Sequence, residues 1–173
     1  MEILLGAGSS RIKKVHTGNY EWKGLVTLDI NADHKPDIVY DLENLPLPFE
    51  DNVADEIHAY EVLEHTGSLG DYKFFFNQFS DFYRILKPGG LLIGSAPLWN
   101  KQWAFGDVSH TRTIQKESFH FLCQPNYTKE VGKTSMSDFR YLYKADFDIV
   151  YIKEQDTTFQ FILQTVKPSR IST

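Results

Sequence analysis

Three side chains able to bind a cation or carry a proton fall within five positions of the chain: Glu61, Glu64 and His65, in the stretch AYEVLEH. Read as one helical turn, this spacing sets Glu61 on the same face as Glu64 at i+3 and His65 at i+4, with Val62 and Leu63 turned elsewhere. Two carboxylates and an imidazole on one face can hold a divalent cation and leave positions open for substrate oxygens. The plainer reading is a solvated corner beside a core. Without a cation, His65 could still act as a general base, because imidazole titrates near neutrality.

A second constellation lies nearer the N-terminus. Ile3-Leu4-Leu5 reads as a buried strand running into a glycine turn, Gly6-Ala7-Gly8-Ser9-Ser10. The glycines permit close backbone approach, and the amides after them can face an anion or a carboxylate. Asp29 and Asp41 each end a later strand. Asp29 is placed to accept both hydroxyls of a ribose, and Asp41 to accept from an adenine amino group with Leu42 beside the ring. Either aspartate could instead be a turn residue. The dinucleotide fingerprint G-x-G-x-x-G fails, since its third glycine is replaced by Arg11.

These residues need a scaffold. After the first strand come GLVTLDI, then DIVYDL, then VADEIHAY as strands two to four, with the proline-punctuated LPLPFEDN between the last two. In DYKFFFNQFSDFYRIL the apolar positions Tyr72, Phe75, Phe76, Phe79, Phe82, Tyr83 and Leu86 recur at helical spacing. The KPGG that follows reads as a helix stop and turn, because Pro88 disfavours helical geometry at Lys87. LLIGSAP is a fifth strand, QKESFHFLC a short helix and QPNYTKEVGKTSMSD a polar loop. FDIVYIKE and TTFQFILQTV close the chain as an antiparallel pair. Crossover-linked strands followed by such a pair describe a mostly parallel α/β sheet, in which ligands sit at the carboxyl ends of the strands. The glycine turn, Asp29, Asp41 and Glu61–His65 all fall at that edge.

The chain of 173 residues is expected to form one domain spanning residues 1–173. Its 42% apolar and 14% aromatic content fit a folded protein rather than a disordered one. A net charge of -5 weighs against broad nucleic-acid binding, although Arg11, Lys13 and Lys14 form a short basic patch. Cys123 is the only cysteine, which precludes an intramolecular disulfide. No apolar run approaches the roughly 18 residues needed to span a bilayer, and the N-terminus reaches glycines too soon for a signal peptide. The expected location is the cytoplasm.

LLGAGSS, VTLDINADHKPDIVYDLENLPLPFEDNVADEIHAYEVLEH and FYRILKPGGLLIGSAP together resemble class I S-adenosylmethionine-dependent methyltransferases. The likeness is to the small type-11-like group whose first helix after the glycine turn is much reduced. It implies an α/β, Rossmann-like, mostly parallel seven-stranded sheet with an antiparallel last strand. It also implies a cofactor set of Gly6, Gly8, Ser9, Asp29, Ile30, Asp41, Leu42 and Glu61. Two departures stand out: Leu4 and Ser10 occupy positions where the family usually has an acid and a glycine. The chain starts at strand one, without N-terminal cover helices, so the site is expected to be open, or covered by a partner protein or a second copy.

The E-x-x-E-H spacing resembles that of ubiquinone-pathway O-methyltransferases and of small-RNA terminal 2′-O-methyltransferases. In the latter a later histidine completes a metal site, and His110 is similar in placement. The resemblance thus implies metal ligands Glu61, Glu64, His65 and His110, with Mg or Mn as the cation, and His65 or His110 as catalytic base. Signatures of nucleobase methylation are missing: no Asp/Asn-Pro-Pro-aromatic motif follows strand four, and Cys123 lacks a preceding proline. The acceptor expected by elimination is an oxygen of a small molecule or glycan. Two rivals stay open, a catalytically idle partner subunit and an enzyme acting on nucleic-acid ends. Trp99, Trp103 and Phe105 either stack on an acceptor or close the core. His58 and His120 are expected to be structural, and Lys129, Lys133 and Arg140 to face solvent.

Overall fold

The computed structural model describes residues 1–15 and 18–171. Its sheet has seven strands: β1 Glu2–Leu5, β2 Leu25–Asp29, β3 Ile38–Val39, β4 Ala54–Tyr60, β5 Leu86–Pro97, β6 Phe147–Glu154 and β7 Thr158–Thr165. Their order is β3-β2-β1-β4-β5-β7-β6. The pairings from β3 through β5 are parallel, and β7 runs antiparallel to both β5 and β6. β1 is buried at all four positions, as a central parallel strand covered on both faces must be.

Helix α1, Tyr72–Ile85, begins where the Asp71 carboxylate accepts the Phe74 amide at 3.0 Å, an N-cap that satisfies one otherwise unpaired donor. It buries Phe76, Phe79, Phe82 and Ile85 against the sheet, where Phe119, Phe159 and Phe161 complete an aromatic core. Each such ring contributes roughly 2–3 kcal/mol of apolar burial. Two shorter helices follow, α2 Trp103–Gly106 and α3 Gln124–Glu130.

Three expectations need correcting. KPGG is not a turn before the fifth strand: β5 starts at Leu86, directly after α1, and the irregularity is absorbed as a register shift opposite Ala54 and Glu56. A β-bulge accommodates Pro88, which has no amide to give a ladder. The short helix expected in QKESFHFLC is present, as a 3-10 helix over Lys116–Leu122, but the expected polar loop after it opens with α3, which buries Gln124 and Tyr127. Pro125 sits in its first turn, where a missing amide costs nothing. The third strand shrinks to Ile38–Val39, at the sheet edge.

No helix occurs among the described residues between β1 and β2; the segment is pinned instead by side chains. Lys13 is buried, with Nζ 2.9 Å from Glu2 and 3.0 Å from Glu56. Val15 exchanges hydrogen bonds with the Tyr60 hydroxyl, and the Trp22 indole donates to the Arg11 carbonyl. The expected basic patch is therefore not one: Lys13 is internal, and Arg11 donates to the carbonyls of Ala7, Gly8 and His34. Among the described residues no helix is long and apolar enough to cross a membrane.

Candidate functional site

The parallel strands β1, β2, β3 and β4 bring their carboxyl ends to one edge. At the end of β1 the backbone turns through Gly6 at φ 56° and Gly8 at φ 53°, a region that disfavours side chains. A Cβ on Gly6 would lie 2.2 Å from Val62 Cγ2, so the glycine turn packs directly on the AYEVLEH segment. A Cβ on Gly8 would meet nothing within 4 Å. That open space is a cradle into which a ligand could bring its chain close to the backbone.

The Gly8 amide donates to Asp29 Oδ2 at 2.7 Å, and the Asn31 amide to Oδ1 at 2.8 Å. His34 Nδ1 stands 3.2 Å from the same carboxylate, within ion-pair range. Burial opposes the charge on Asp29, but the Asn31 and Gly8 amides outweigh it and hold the carboxyl below its ordinary value. An ionised carboxylate has about four acceptor sites, so Asp29 keeps capacity for hydroxyl donors. Ile30, beside it, is 68% exposed and offers an apolar surface, and Ser9 is exposed in the turn.

Asp41 lies just past β3, its carboxylate accepting the Glu43 amide at 2.9 Å. Leu42 differs from expectation: its side chain is only 6% exposed and belongs to the core, so Ile30 supplies the exposed apolar surface. Leu4 packs with Ala7, Val15 and Tyr60, and the position carries no charge for an amino group.

The AYEVLEH stretch is not one α-helical turn. Glu61 takes a left-handed conformation, φ 53°, while its amide still donates to Ser95 at 2.8 Å. Leu63–His65 then form a 3-10 turn. The reversal sends Glu61 away from the other two, to Ser95 Oγ at 3.3 Å and Lys14 Nζ at 3.8 Å. A distant segment takes its place. The amides of Thr111 and Arg112 donate to the Glu64 carbonyl at 3.0 and 3.3 Å, which brings His110 beside His65, with ring centroids 4.6 Å apart.

Ligating atoms of Glu64, His65 and His110 all lie within 4.8 Å of one another. They face a cavity of about 300 Å³, with Glu61, Asp107 and Trp103 on its walls. Glu64 is 1% exposed, and neither carboxylate oxygen has a hydrogen-bond partner among the described residues. Burial, reinforced by the charges of Glu61 and Asp107 and only partly opposed by its own backbone amide and the Arg112 charge, pushes its pKa up to about 7. Burial, and then the neighbouring His110, lowers that of His65.

The two rings are oriented from behind by residues that sequence reasoning missed. The Ser109 hydroxyl donates its only proton to Asp107 at 2.5 Å, so at 3.1 Å from His65 Nδ1 it accepts. His65 Nδ1 therefore carries hydrogen. His110 Nδ1 faces the Ala104 carbonyl at 3.4 Å, which can only accept. The Nε2 lone pair of His65 is thereby left free, in the manner of a histidine ligand oriented by an outer partner, whereas His110 Nε2 stands 3.8 Å from Asp107 Oδ2. An acid three residues before His110, in GDVSH, was the available signal for Asp107.

A second group, Glu2, Glu56 and His58, is equally compact. There Lys13 already supplies the cation. The Glu64 group has no cation within ion-pair distance among the described residues, the charge of Arg112 acting on Glu64 only at longer range. Trp99, Trp103 and Phe105 are 59%, 57% and 70% exposed, and so do not close the core.

A family profile for the methyltransferase domain matches residues 6–94. This is just over half of the chain, and the chain belongs to that family. Among solved structures, a SAM-dependent methyltransferase from Archaeoglobus fulgidus is similar at 11% identity and a TM-score of 0.56, over 95% of this chain and 85% of that one. The N-methyltransferase NodS from Bradyrhizobium japonicum, in complex with S-adenosyl-L-homocysteine, is similar at 10% identity and a TM-score of 0.52, over 95% and 76%. A Haloferax volcanii methyltransferase in complex with the Trm112 activator is similar at 15% identity and a TM-score of 0.52, over 95% and 82%. Among curated protein sequences none matches the chain. The fold is that of the SAM-dependent, class I methyltransferases.

Proposed function

We propose that this enzyme transfers the methyl group of S-adenosylmethionine to an oxygen of a small-molecule or glycan acceptor, with a divalent cation held by Glu64, His65 and His110. One observation carries the cation: a buried carboxylate with both oxygens unpaired, its ligating atoms within 4.8 Å of those of two imidazoles. A buried carboxylate is costly unless paired or metal-bound. Two nitrogen donors favour Mn2+ over Mg2+, which prefers oxygen. Glu61, which lines the same cavity, adds negative charge without joining the ligand group.

The donor would rest on Gly6, Gly8 and Ser9, with its ribose hydroxyls on Asp29 and its adenine between Ile30 and Asp41. When bound, it supplies an electrophilic methyl on a sulfonium, and the cation lowers the pKa of a hydroxyl. The residues of the chain align the acceptor and take up its proton. His65, its pKa lowered by burial and then by His110, would be the base only in a site without the cation. With the cation on His65 and His110, the Glu61 carboxylate on the same cavity is the group left to take up the hydroxyl proton. Transfer of the methyl group from sulfur to oxygen would leave the donor as a neutral thioether. Trp103, exposed on the cavity wall, is placed to stack on a sugar or planar acceptor. A partner protein or second copy covering this open edge would exclude water.

Radiolabelled methyl transfer from S-adenosylmethionine into fractionated small-molecule, glycan, RNA and protein pools tests this reading. Label entering a small-molecule or glycan pool, raised by Mn2+ and lost on His110→Ala, is the expected result. Label confined to RNA or protein, or turnover indifferent to chelator, would overturn the acceptor and cation assignments respectively.

A further inference from the structure

The paired segments 63–66 and 110–112 form a wall with the Glu64 cavity on one side. On the other lies a separate cavity of about 310 Å³, which shares no lining residue with the first. We propose that this second cavity is a binding site for a small apolar carboxylic acid, held by Arg112 against aromatic walls. Its volume is at the lower end of the range for small-molecule sites. Phe75, Phe76, Ile114, Phe121 and Phe139 supply the apolar surface, and Leu69, at 74% exposure, sits at the rim.

Arg112 makes this more than a gap in the packing. It lines the cavity while only 7% exposed. Its Nε donates to the Leu63 carbonyl at 3.0 Å, and its Nη2 donates to Thr66 Oγ1 at 3.0 Å and Gln78 Oε1 at 2.5 Å. All three acceptors are neutral. Among the described residues Nη1 donates to no protein group and is not one of the buried unpartnered atoms, so it is left open to solvent or to an occupant of the cavity, and no carboxylate reaches ion-pair distance of the guanidinium. Phe74 stacks below at 5.4 Å, a modest electrostatic contribution.

A buried charge with no counter-ion in contact is costly. The charges of Glu64, Asp71 and Glu43 act only at longer range. Asp71 is exposed at the rim and committed to capping α1. The unmet requirement is a carboxylate beside Arg112, and the aromatic walls require an apolar body behind it. Because the cavities are distinct, the occupant is a molecule separate from the methyl donor.

Titration calorimetry with 3-phenylpropionate and its uncharged amide, on the unaltered protein, tests the assignment. Saturable binding of the carboxylate is expected, with the amide about tenfold weaker, the difference between a charged and a neutral hydrogen bond. Ser118→Trp, which fills the cavity, should abolish binding of both. Arg112→Gln should reduce the carboxylate to the affinity of the amide. Equal affinities, no carboxylate binding at millimolar concentration, or binding that survives Ser118→Trp would overturn the proposal. If Arg112→Gln fails to fold, the carboxylate–amide comparison and Ser118→Trp still decide. None of these readouts involves methyl transfer, so the outcome is separate from that of the proposed activity.

Discussion

Replacing Glu64 by glutamine in the cation-free protein should stabilise the fold at alkaline pH and change it little at acid pH. Burial and the nearby charges raise the Glu64 carboxyl from its ordinary 4.5 to about 7. The folded state therefore binds this proton more tightly than the unfolded chain. Through the window from pH 4.5 to about 7, the folded state carries more protons, so stability falls as pH rises. At about 1.4 kcal/mol per unit, ionising this carboxylate costs ~3 kcal/mol above the window. The group is 1% exposed, so solvent screens little of this.

Glutamine has nearly the same shape and cannot ionise. Whatever its amide costs in unmet hydrogen bonds is the same at both pH values and cancels in the difference. For a chain of this size the effect corresponds to roughly 6–12 °C in thermal midpoint. The assay is scanning calorimetry of both proteins in chelator at about pH 5 and pH 8. The advantage of Glu64→Gln should widen by this amount at the higher pH, and Mn2+ should erase it by stabilising the unaltered protein. A difference between the proteins that is the same at both pH values would refute the reasoning.

Three further outcomes follow from the same geometry. Gly6→Ala puts a Cβ against Val62 and strains a left-handed backbone; it should cost about 1–3 kcal/mol in denaturant unfolding and weaken S-adenosylhomocysteine binding. Asp29→Ala removes the carboxylate that fixes the Gly8 and Asn31 amides, and calorimetry should show donor affinity falling at least about tenfold, as expected for losing charge-assisted hydrogen bonds. Lys13→Met leaves Glu2 and Glu56 without their shared cation; a loss of about 3–5 kcal/mol on thermal unfolding is expected, whereas a neutral effect would mean the pair is solvated.

Much of the sheet was legible because its strands are short apolar runs ended by acids or glycines, and α1 because its aromatic positions keep a 3.6-residue period. Boundaries failed where tertiary packing overrode local signals. KPGG carries strong turn chemistry, yet Leu86 pairs with Ala54. Residues 124–130 look polar, but Gln124 is buried by bonds to the Tyr143 and Ala145 carbonyls. The site was legible as a set of residue types at one sheet edge, not as a geometry. No spacing rule foretells that Glu61 adopts positive φ. Ser109 and Arg112 gain meaning only when a segment some 44 positions away closes on His65. Leu42 was misjudged because an apolar residue at a strand end can equally well turn inward.

The most direct measurement is a crystal structure of the protein grown with S-adenosylhomocysteine and Mn2+, using anomalous scattering to locate the metal. An anomalous peak bounded by Glu64, His65 and His110, with the nucleoside ribose on Asp29, is the expected result. A nucleoside bound elsewhere, or one on Asp29 with no metal between those three side chains, would contradict the donor or the cation assignment in turn.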